Sequence, residues 1–512
     1  MLGERRRMFS RRGLLRVLMG STALAAAGPL LQACAGSAPA APTPQVITKE
    51  VERVVTQVVE RTVDRVVEKP VDRVVEKVIT ATAAPQVKAP IKLTISTDWN
   101  VGIRRKTMEF WAAEFKKEHP NVTVEVWHIG SGGMTQANYD PTIQTMLLTG
   151  TGPTVITEMW WRPKEVYANW DSYLKGKNFK KEDYWWSEYA HEVDGSIYSI
   201  PFGAYFSGAS VNLDLFEKAG AKLPPKDWGF DELIKLARQL KTTDVWGYER
   251  TTGPYGGWAD RLASEGAEFY NRQTLKSAIQ VGRDGGDPVK MFADWWGLVW
   301  KEGIAPKPAE TAALLQVARS AGATGGLASS LVWVSGKIAM SWFPFNQAGV
   351  VKELVGGRFR YQALWPPKSP YSGRRGYYTN FSYISVNKDV GARGHEAEAF
   401  DLGYFWIDDK MGKFQAENIP VVPPHRKWWN SPEFLKAAPG MESFSEMAAE
   451  ALKTGLDSSK YLSGTGSSPL GFEWYQAVAK KIEDRALIGG EDPVATFAAA
   501  VAEGDKVLAK KI

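Results

Sequence analysis

The chain has 512 residues, of which 44% are hydrophobic and 23% are charged. These values exclude a collagen-like chain, disorder throughout and a protein with many membrane spans, and the length allows roughly two to four domains. The net charge of +6 at first suggests a polyanionic partner. However, residues 1–33 hold six arginines against one glutamate, which leaves a net charge near +1 for the other residues. The bulk of the chain therefore gives no electrostatic reason to expect nucleic acid as a partner.

Residues 1–33 have the pattern of an export signal. A basic start that contains Arg11 and Arg12 precedes the apolar stretch Val17–Leu31, which is shorter than the ~20 residues that a bilayer-spanning helix needs. The arginine pair resembles the twin-arginine signal, which implies export in the folded state. The apolar stretch ends in Leu31-Gln32-Ala33-Cys34, which resembles the lipobox of bacterial lipoproteins.

By that resemblance, cleavage before Cys34 leaves a lipidated cysteine at the new N-terminus. Cys34 is the only cysteine in the chain, so the mature protein would have neither a disulfide nor a cysteine metal ligand. We expect the protein to be held by this lipid on the outer face of the cytoplasmic membrane. The alternative interpretation is a buried core cysteine that follows a leucine by chance.

The segment 34–90 is predicted to be a spacer. It begins with residues rich in Ala, Pro and Ser and continues, over residues 54–77, with tetrads that mostly pair two valines with two polar residues. Their β-branched side chains favour an extended chain, and Pro70 interrupts either a helix or a strand. A self-association module is the alternative.

Ordered structure is predicted to begin near Ile91. The segment Ile91–Ser96 alternates apolar and polar residues as a half-buried strand does, and Met108, Trp111 and Phe115 then follow a helical spacing. The segment Val122–Val126 is predicted to be a second strand. This β-α-β order indicates an α/β fold with a parallel sheet.

Two later helices are predicted from their spacing and end signals. Leu233, Leu236 and Leu240 lie on one face of a helix that begins near Asp231. Near the end of the chain, Asp492-Pro493 provides an N-cap and a first-turn proline for the final helix.

Five segments, in this order along the chain, resemble motifs of extracellular solute-binding proteins of the maltose-binding type. They are Leu148–Ile156, Gly195–Pro201, Asn212–Gly220, Pro224–Trp228 and Ser335–Met340. Two positions depart from the motifs, because Thr154 replaces the usual aspartate and Gly229 replaces the usual Ser or Thr helix cap. The resemblance extends from about Ile91 to the end of the chain.

The resemblance implies an α/β fold of the two-lobed periplasmic-binding-protein class (type II), with a ligand cleft between the lobes. It also implies delivery of the ligand to an ABC permease that is powered by separate ATPase subunits. Lobe 1 would comprise 91–203 plus 384–422, and lobe 2 would comprise 206–380 plus 423–512. The expected crossing segments between the lobes are Gly203–Ser207, Asn380–Ile384 and Pro420–Pro424.

The abundance of tryptophan, with 21 residues, favours a carbohydrate ligand. Sugars present apolar C–H faces that stack on flat aromatic rings and hydroxyl groups that need polar partners. The alternatives are a non-sugar solute (ferric ion, a polyol phosphate or a peptide). By their positions relative to the family motifs, the candidate ligand-binding residues are Asp98, Trp99, Glu158, Trp160, Trp161, Tyr205, Trp258, Trp342, Phe345, Asn346, Tyr377, Tyr378, Asn380 and Trp474.

Some tryptophans fit a core better than a cleft. Those on helical patterns are expected to be structural: Trp111, Trp228, Trp295, Trp296, Trp300 and Trp406. Trp474 is the candidate that matches the position where maltose-type binding proteins stack a sugar ring.

Enzymatic and metal-binding functions have weaker support. Ser172-Tyr173-Leu174-Lys175 and Lys453-Thr454-Gly455 match motifs of penicillin-recognising enzymes, but the second lies in a predicted helix where a strand is required. We interpret both as chance matches and predict no enzyme and no cofactor, although a pair of opposed glycosidase carboxylates stays open. Tyr377-Tyr378 resembles the tandem tyrosines of ferric-ion binding proteins, yet the five histidines have no metal-ligand spacing, so no metal is predicted.

Overall fold

The structure, a computed structural model, describes residues 89–129, 136–159, 162–253, 256–271, 273–320, 332–457 and 469–510. The predictions for Arg11, Arg12, Cys34, the spacer up to residue 88 and the pair Trp160–Trp161 fall outside the described residues.

The described strands are short and are distributed along the chain. They are β1 Ile91–Thr97, β2 Val122–His128, β3 Val155–Thr157, β4 Glu192–Val193, β5 Ser196–Ile197, β6 Ile200–Tyr205, β7 Ser207–Asn212, β8 Trp246–Tyr248, β9 Tyr270–Asn271, β10 Lys276–Ser277, β11 Ile338–Pro344, β12 Tyr361–Leu364, β13 Tyr378–Val386 and β14 Leu456–Asp457.

Helices lie between most of these strands. They are α1 Gly102–Glu118, α2 Gln136–Leu148, α3 Pro163–Val166, α4 Asp171–Gly176, α5 Glu188–His191, α6 Leu213–Lys218, α7 Phe230–Leu240, α8 Trp258–Ser264, α9 Pro288–Trp300, α10 Pro308–Ser320, α11 Ala348–Val355, α12 Glu396–Phe405, α13 Asp409–Asn418, α14 Pro432–Ala437, α15 Phe444–Thr454, α16 Pro469–Lys480 and α17 Pro493–Ala509. A π-helical segment, Lys481–Ile488, follows α16 directly.

The predicted β-α-β opening is confirmed. β1 pairs in parallel with β2, from Ile91 opposite Val122 to Thr97 opposite His128, and it also pairs in parallel with β3. Between β1 and β2, α1 buries Met108, Trp111 and Phe115. β1 therefore lies between two parallel neighbours, which explains why most of its side chains are buried.

The two later helix predictions are also confirmed. α7 buries Leu233, Leu236 and Leu240 on one face. α17 begins at Pro493, and the side chain of Asp492 accepts a hydrogen bond from the backbone N–H of Ala495. The sequence signals for these helices are local, and local signals were enough to predict where the helices lie.

Two larger sheets form the frames of two lobes. The first sheet has the order β14-β13-β3-β1-β2, with β6 also paired to β13, and the second has the order β12-β7-β11-β8. We call the lobe built on the first sheet lobe 1 and the lobe built on the second sheet lobe 2. Sheet membership does not test the exact lobe boundaries given above, which stay a prediction.

The chain passes from the first sheet to the second where β6 is followed almost directly by β7. β6 lies in the first sheet, β7 lies in the second, and only Phe206 separates them. β13 runs beside β6 in the antiparallel sense, with Asn380 opposite Tyr205 and Ile384 opposite Ile200. Val422 forms a bridge with Ala204, which places a third segment next to β6.

Three hydrophobic cores are found among the described residues. One belongs to lobe 1 and contains Trp111 and Trp406, and another belongs to lobe 2 and contains Trp228 and Trp295. All four of these tryptophans were expected to be structural. The third core, which we call the middle core, contains residues of both sheets, such as Ile156 of β3 and Phe343 of β11. Packing therefore continues from one lobe to the other around the crossing strands.

Candidate functional site

Three of the predicted ligand-binding residues lie at one edge of the first sheet. Asp98 follows β1, Glu158 follows β3, and Tyr205 is the last residue of β6. Because parallel strands of a sheet end at the same edge, their loops are brought together there, and ligands of α/β proteins commonly bind at this edge. The fourth, Asn380, is opposite Tyr205 in the pairing of β13 with β6. We call Asp98, Glu158, Tyr205 and Asn380 the edge cluster.

The two carboxyl groups of the edge cluster interact with each other. The phenol of Tyr205 donates a hydrogen bond to Oε1 of Glu158 at 2.7 Å. Burial raises the pKa of Glu158 well above its usual range, and the negative charge of Asp98 and a hydrogen bond with Asp98 raise it further. Burial and a neighbouring negative charge both favour the protonated form of a carboxyl group. In this form Glu158 can donate as well as accept a hydrogen bond, and the carboxyl group of Asp98 adds further oxygen atoms at the same edge.

One acceptor of this pair is unused. Oδ1 of Asp98 is buried and has no hydrogen-bond partner in the described part of the chain. A buried acceptor without a partner costs about 1–3 kcal/mol. A ligand hydroxyl that donated to this oxygen would recover that free energy, so Asp98 is suited to recognise a hydroxyl group.

A cation lies beside the two carboxyl groups, and the sequence reasoning missed it. The guanidinium of Arg104 lies 4.6 Å from the centre of the Trp99 ring, and its Nε donates to the carbonyl of Pro420 at 3.4 Å. Its positive charge lowers the pKa of Glu158 and so partly offsets the effect of Asp98. A sequence signal existed, because an arginine in the first turn of a helix opposes the helix dipole.

The loop after β3 has an unusual backbone. Glu158 and Arg162 adopt left-handed conformations, with φ angles of 59° and 44°, although neither is glycine. Such conformations cost roughly 1–3 kcal/mol each and are frequent at functional sites. In the sequence, the candidates Trp160 and Trp161 come between these two residues, and both lie outside the described residues.

Tyr139 of α2 connects the two strands that position Asp98 and Glu158 of the edge cluster. Its phenol lies 2.9 Å from Oγ of Ser96 and donates to the carbonyl of Thr157 at 3.0 Å. Ser96 belongs to β1 and Thr157 to β3, so this one side chain ties together the ends of the two strands that position Asp98 and Glu158.

The other aromatic candidates are more enclosed than a stacking surface requires. Trp99 is 1% exposed and belongs to the lobe 1 core, where it contacts Phe202 at a ring-centre distance of 4.8 Å. Trp342, Phe345 and Tyr377 belong to the middle core. Asn346, which follows Phe345, is also buried, and Tyr378 packs in the lobe 2 core.

Trp258 and Trp474 lie in the core of lobe 2, and this corrects their assignment to the ligand. Both are 0% exposed. Nε1 of Trp258 donates to Glu483 at 3.0 Å, and Nε1 of Trp474 donates to Oγ of Ser277 at 2.9 Å. An indole that is surrounded by side chains and has its N–H satisfied has no face left for a sugar ring.

The described residues offer little for a metal ion. Within those ranges, no group of three or more His, Cys, Asp or Glu side chains has a geometry that could hold a metal. Tyr377, which directly precedes β13, belongs to the middle core, whereas Tyr378, the first residue of β13, belongs to the lobe 2 core. As for membrane spans, none of the helices described above combines the length and the apolar character that crossing a bilayer requires.

The fold and the position of the edge cluster define a class of protein: a two-lobed α/β binding protein. The family described as "Bacterial extracellular solute-binding protein" matches residues 101–400, which is more than half of the chain, and the chain belongs to this family. No curated protein sequence matches the chain.

Solved structures of such binding proteins resemble the whole globular part. The ABC substrate-binding protein Lmo0181 from Listeria monocytogenes, in complex with cycloalternan, has 18% identity and a TM-score of 0.62, with 82% of this chain and 99% of that chain covered. MalE from Bdellovibrio bacteriovorus, bound to maltotriose, has 15% identity and a TM-score of 0.61 over 82% and 99% of the two chains. UgpB from Mycobacterium tuberculosis, in complex with glycerophosphocholine, has 13% identity and a TM-score of 0.64 over 83% and 99%. These similarities show the two-lobed fold.

Proposed function

We propose that this protein captures a carbohydrate at the edge cluster, in the cleft between its lobes, and delivers it to an ABC permease. The observation that carries this proposal is the buried Oδ1 of Asp98, which has no hydrogen-bond partner among the described residues and belongs to the same cluster as the hydrogen-bonded pair Tyr205 and Glu158. Vicinal hydroxyl groups of a sugar can both donate and accept, which matches a cluster of carboxyl and hydroxyl groups. Two of the similar structures contain cycloalternan and maltotriose, which are carbohydrates.

A phosphodiester is the second candidate solute. Arg104 provides a positive charge next to the edge cluster, and one similar structure contains glycerophosphocholine. We favour the carbohydrate because the guanidinium of Arg104 already stacks on Trp99 and contacts Pro420, whereas a phosphate would have to approach two carboxyl groups. No enzymatic step is proposed, and an assay for release of reducing sugar from bound oligosaccharides should give no signal.

The proposed location rests on the family and on the export-signal pattern of residues 1–33. Bacterial extracellular solute-binding proteins act outside the cytoplasm, and we propose that this chain is exported through its Arg11-Arg12 signal and is held at the membrane by a lipid on Cys34. No metal or other cofactor is part of this proposal.

A thermal-shift screen tests the solute. Maltose, maltotriose, larger glucans, glycerophosphocholine and ferric citrate are added separately to the purified protein, and the melting temperature is measured. A ligand at a hundredfold excess over its Kd stabilises the folded state by about 2.7 kcal/mol. Stabilisation by carbohydrates supports the proposal, and stabilisation by glycerophosphocholine alone would replace it with the second candidate.

A matched pair of tyrosine variants tests the site. Tyr205→Phe removes the hydroxyl that donates to Glu158 at 2.7 Å, and Tyr173→Phe removes a hydroxyl that donates to Asp401 at 2.6 Å elsewhere in lobe 1. A change of about 0.5–1.5 kcal/mol, the range for a typical hydrogen bond, corresponds to a loss of affinity of roughly 2- to 13-fold. We expect this loss in Tyr205→Phe only. Equal affinities in the two variants would show that the edge cluster does not bind the solute.

A further inference from the structure

A buried carboxylate in lobe 2 contacts both paired crossing strands. Asp260, on α8, is 2% exposed. Its Oδ2 accepts a hydrogen bond from Oγ of Ser207 at 2.6 Å, and its Oδ1 accepts one from the backbone N–H of Tyr378 at 2.6 Å. Ser207 is the first residue of β7, and Tyr378 is the first residue of β13.

These two contacts lie at one position along the crossing. Tyr205 and Asn380 are directly opposite each other in the pairing of β6 with β13. Ser207 is two residues beyond Tyr205 on the lobe 2 side, and Tyr378 is two residues beyond Asn380 on the same side. Asp260 therefore joins the first residue of β7 and the first residue of β13 to α8.

The segment before β13 also lies very close to the backbone of α8 at Asp260. A Cβ atom on Gly376, two residues before Tyr378, would collide with the backbone carbonyl of Asp260, so the chain here can approach the helix only because residue 376 is glycine. The close approach and the carboxylate together leave the lobe 2 ends of both strands little freedom.

We propose that Asp260 is a positioning residue for the hinge. By binding Ser207 and Tyr378, Asp260 makes these ends of the two crossing strands move together with lobe 2. Bending of the strands during closure is therefore confined to the lobe 1 side of Ser207 and Tyr378. Proteins of this two-lobed class close around ligands by changes at a few hinge residues. Because Tyr205 and Asn380 lie on the lobe 1 side of this joint, Asp260 determines how the edge cluster faces lobe 2. The proposal rests on the two-lobed fold and does not depend on which solute is bound.

Two serines of the same strand give a matched test. Ser207 and Ser210 both belong to β7, and both are buried. The Ser207 hydroxyl donates to Asp260 across the joint, whereas the Ser210 hydroxyl donates to the carbonyl of Trp342 within the second sheet, at 3.2 Å. Ser207→Ala and Ser210→Ala each remove one buried hydroxyl, but only the first weakens the joint.

The measurement is the distance between the lobes without ligand. A chain with Cys34→Ser contains no cysteine, so spin labels can be attached only at cysteines introduced at the exposed positions Lys116 on α1 and Gln239 on α7. We expect Ser207→Ala to broaden the distribution of label distances and to shift it toward longer values. Ser210→Ala should leave the distribution unchanged even where it lowers the melting temperature.

A second pair of variants covers the carboxylate itself. Asp260→Ala removes both acceptors. Glu249→Ala is the control, because it also removes a buried carboxylate. Glu249 accepts hydrogen bonds from the backbone N–H groups of Val332 and Trp333 and from the hydroxyl of Ser341, and these residues lie outside the two crossing strands. Asp260→Asn keeps Oδ1 for the Tyr378 amide, and its side-chain NH2 can donate to Oγ of Ser207 in place of the present hydrogen bond, so this variant should behave as the wild type.

The outcomes separate a hinge role from a purely structural role. A broadened distance distribution in Ser207→Ala and in Asp260→Ala, with none in Ser210→Ala or Glu249→Ala, supports the proposal. Equal distributions within each pair, with only the melting temperature lowered, overturn it. If Asp260→Ala does not fold, the serine pair still decides. Because no solute is added, the result does not depend on the carbohydrate proposal, which fails or holds in the thermal-shift screen.

Discussion

The indole of Trp474 illustrates how a single residue can be assigned incorrectly from a motif. Its ring centre lies 5.6 Å from that of Phe269 and 5.5 Å from that of Tyr270, and its N–H donates to Ser277. Gly504 of α17 approaches the indole so closely that a Cβ there would collide with Nε1. The position along the chain matched a sugar-stacking residue, but the packing around it decides its role.

Trp474→Ala should therefore destabilise the protein. Truncation of a buried tryptophan costs about 3–5 kcal/mol of folding free energy. We expect a lower melting temperature without ligand and an unchanged affinity per folded molecule, whereas Tyr189→Ala, at a side chain that is 42% exposed, should melt as the wild type does. A variant of Trp474 that melted normally but lost its solute would return this residue to the binding site.

Two buried carboxyl groups of lobe 2 should make stability depend on pH. Burial raises the pKa of Asp260 to about 7 and the pKa of Glu249 to about 7. In the unfolded chain these groups titrate near 4, so between pH 4 and pH 7 the folded state binds more protons than the unfolded state. The free energy of unfolding should therefore fall as the pH rises through this window.

The check is a series of denaturant titrations from pH 4 to pH 8. Asp260→Asn cannot bind the extra proton and should flatten this part of the curve, whereas Asp244→Asn, at an exposed position, should not change its slope. If the free energy of unfolding of Asp260→Asn changed with pH as steeply as that of the wild type, the pKa of Asp260 would not be raised.

At the scale of elements, two helix N-termini differ in their caps. Asp492 caps α17 with a side-chain hydrogen bond to the backbone N–H of Ala495 at 2.8 Å. Gly229 precedes α7 in an extended conformation, with a φ angle of −111°, and has no side chain to do the same. A Cβ at residue 229 would meet the carbonyl oxygen of Lys368 at 3.8 Å, an ordinary van der Waals distance, so a side chain fits there among the described residues.

Opposite effects on stability are expected at these two caps. Asp492→Ala should cost about 1 kcal/mol, and Gly229→Ser should add a few tenths of a kcal/mol, since serine is the better cap. Chemical denaturation of both variants measures these differences. A stabilised Asp492→Ala would show that its hydrogen bond is not maintained in solution.

The helices and strands were more predictable than the site because their signals are local. The spacing of Met108, Trp111 and Phe115 is enough to predict α1. In contrast, the contact between Tyr205 and Glu158 joins residues 47 positions apart, and Asp260 meets Tyr378 across 118 positions. Side chains such as Trp474 look the same in the sequence whether they face a cleft or a core. Only the packing distinguishes them.

At the scale of the whole molecule, the family is one of extracellular binding proteins, and the lipid attachment proposed at Cys34 is open to a direct test. Cys34 lies 57 residues before β1, so it is remote in sequence from all the strands and helices described. Cys34→Ser should therefore leave the melting temperature and the solute affinity unchanged and release the protein from the membrane. Fractionation of cells after a salt wash measures the release, and a variant that stayed in the membrane fraction would contradict lipid attachment at this cysteine.

The order of the strands has a consequence for synthesis. β3 is complete once residue 157 has left the ribosome, but its second neighbour in the sheet, β13, begins only at Tyr378. At about 5–20 residues per second, one edge of β3 stays unpaired for tens of seconds, while the strands of the second sheet, which end at Leu364, are already complete. Lobe 2 thus has its full set of sheet strands before lobe 1 does, although lobe 1 begins first. An export route that accepts only folded proteins would have to wait until translation of this chain is nearly finished.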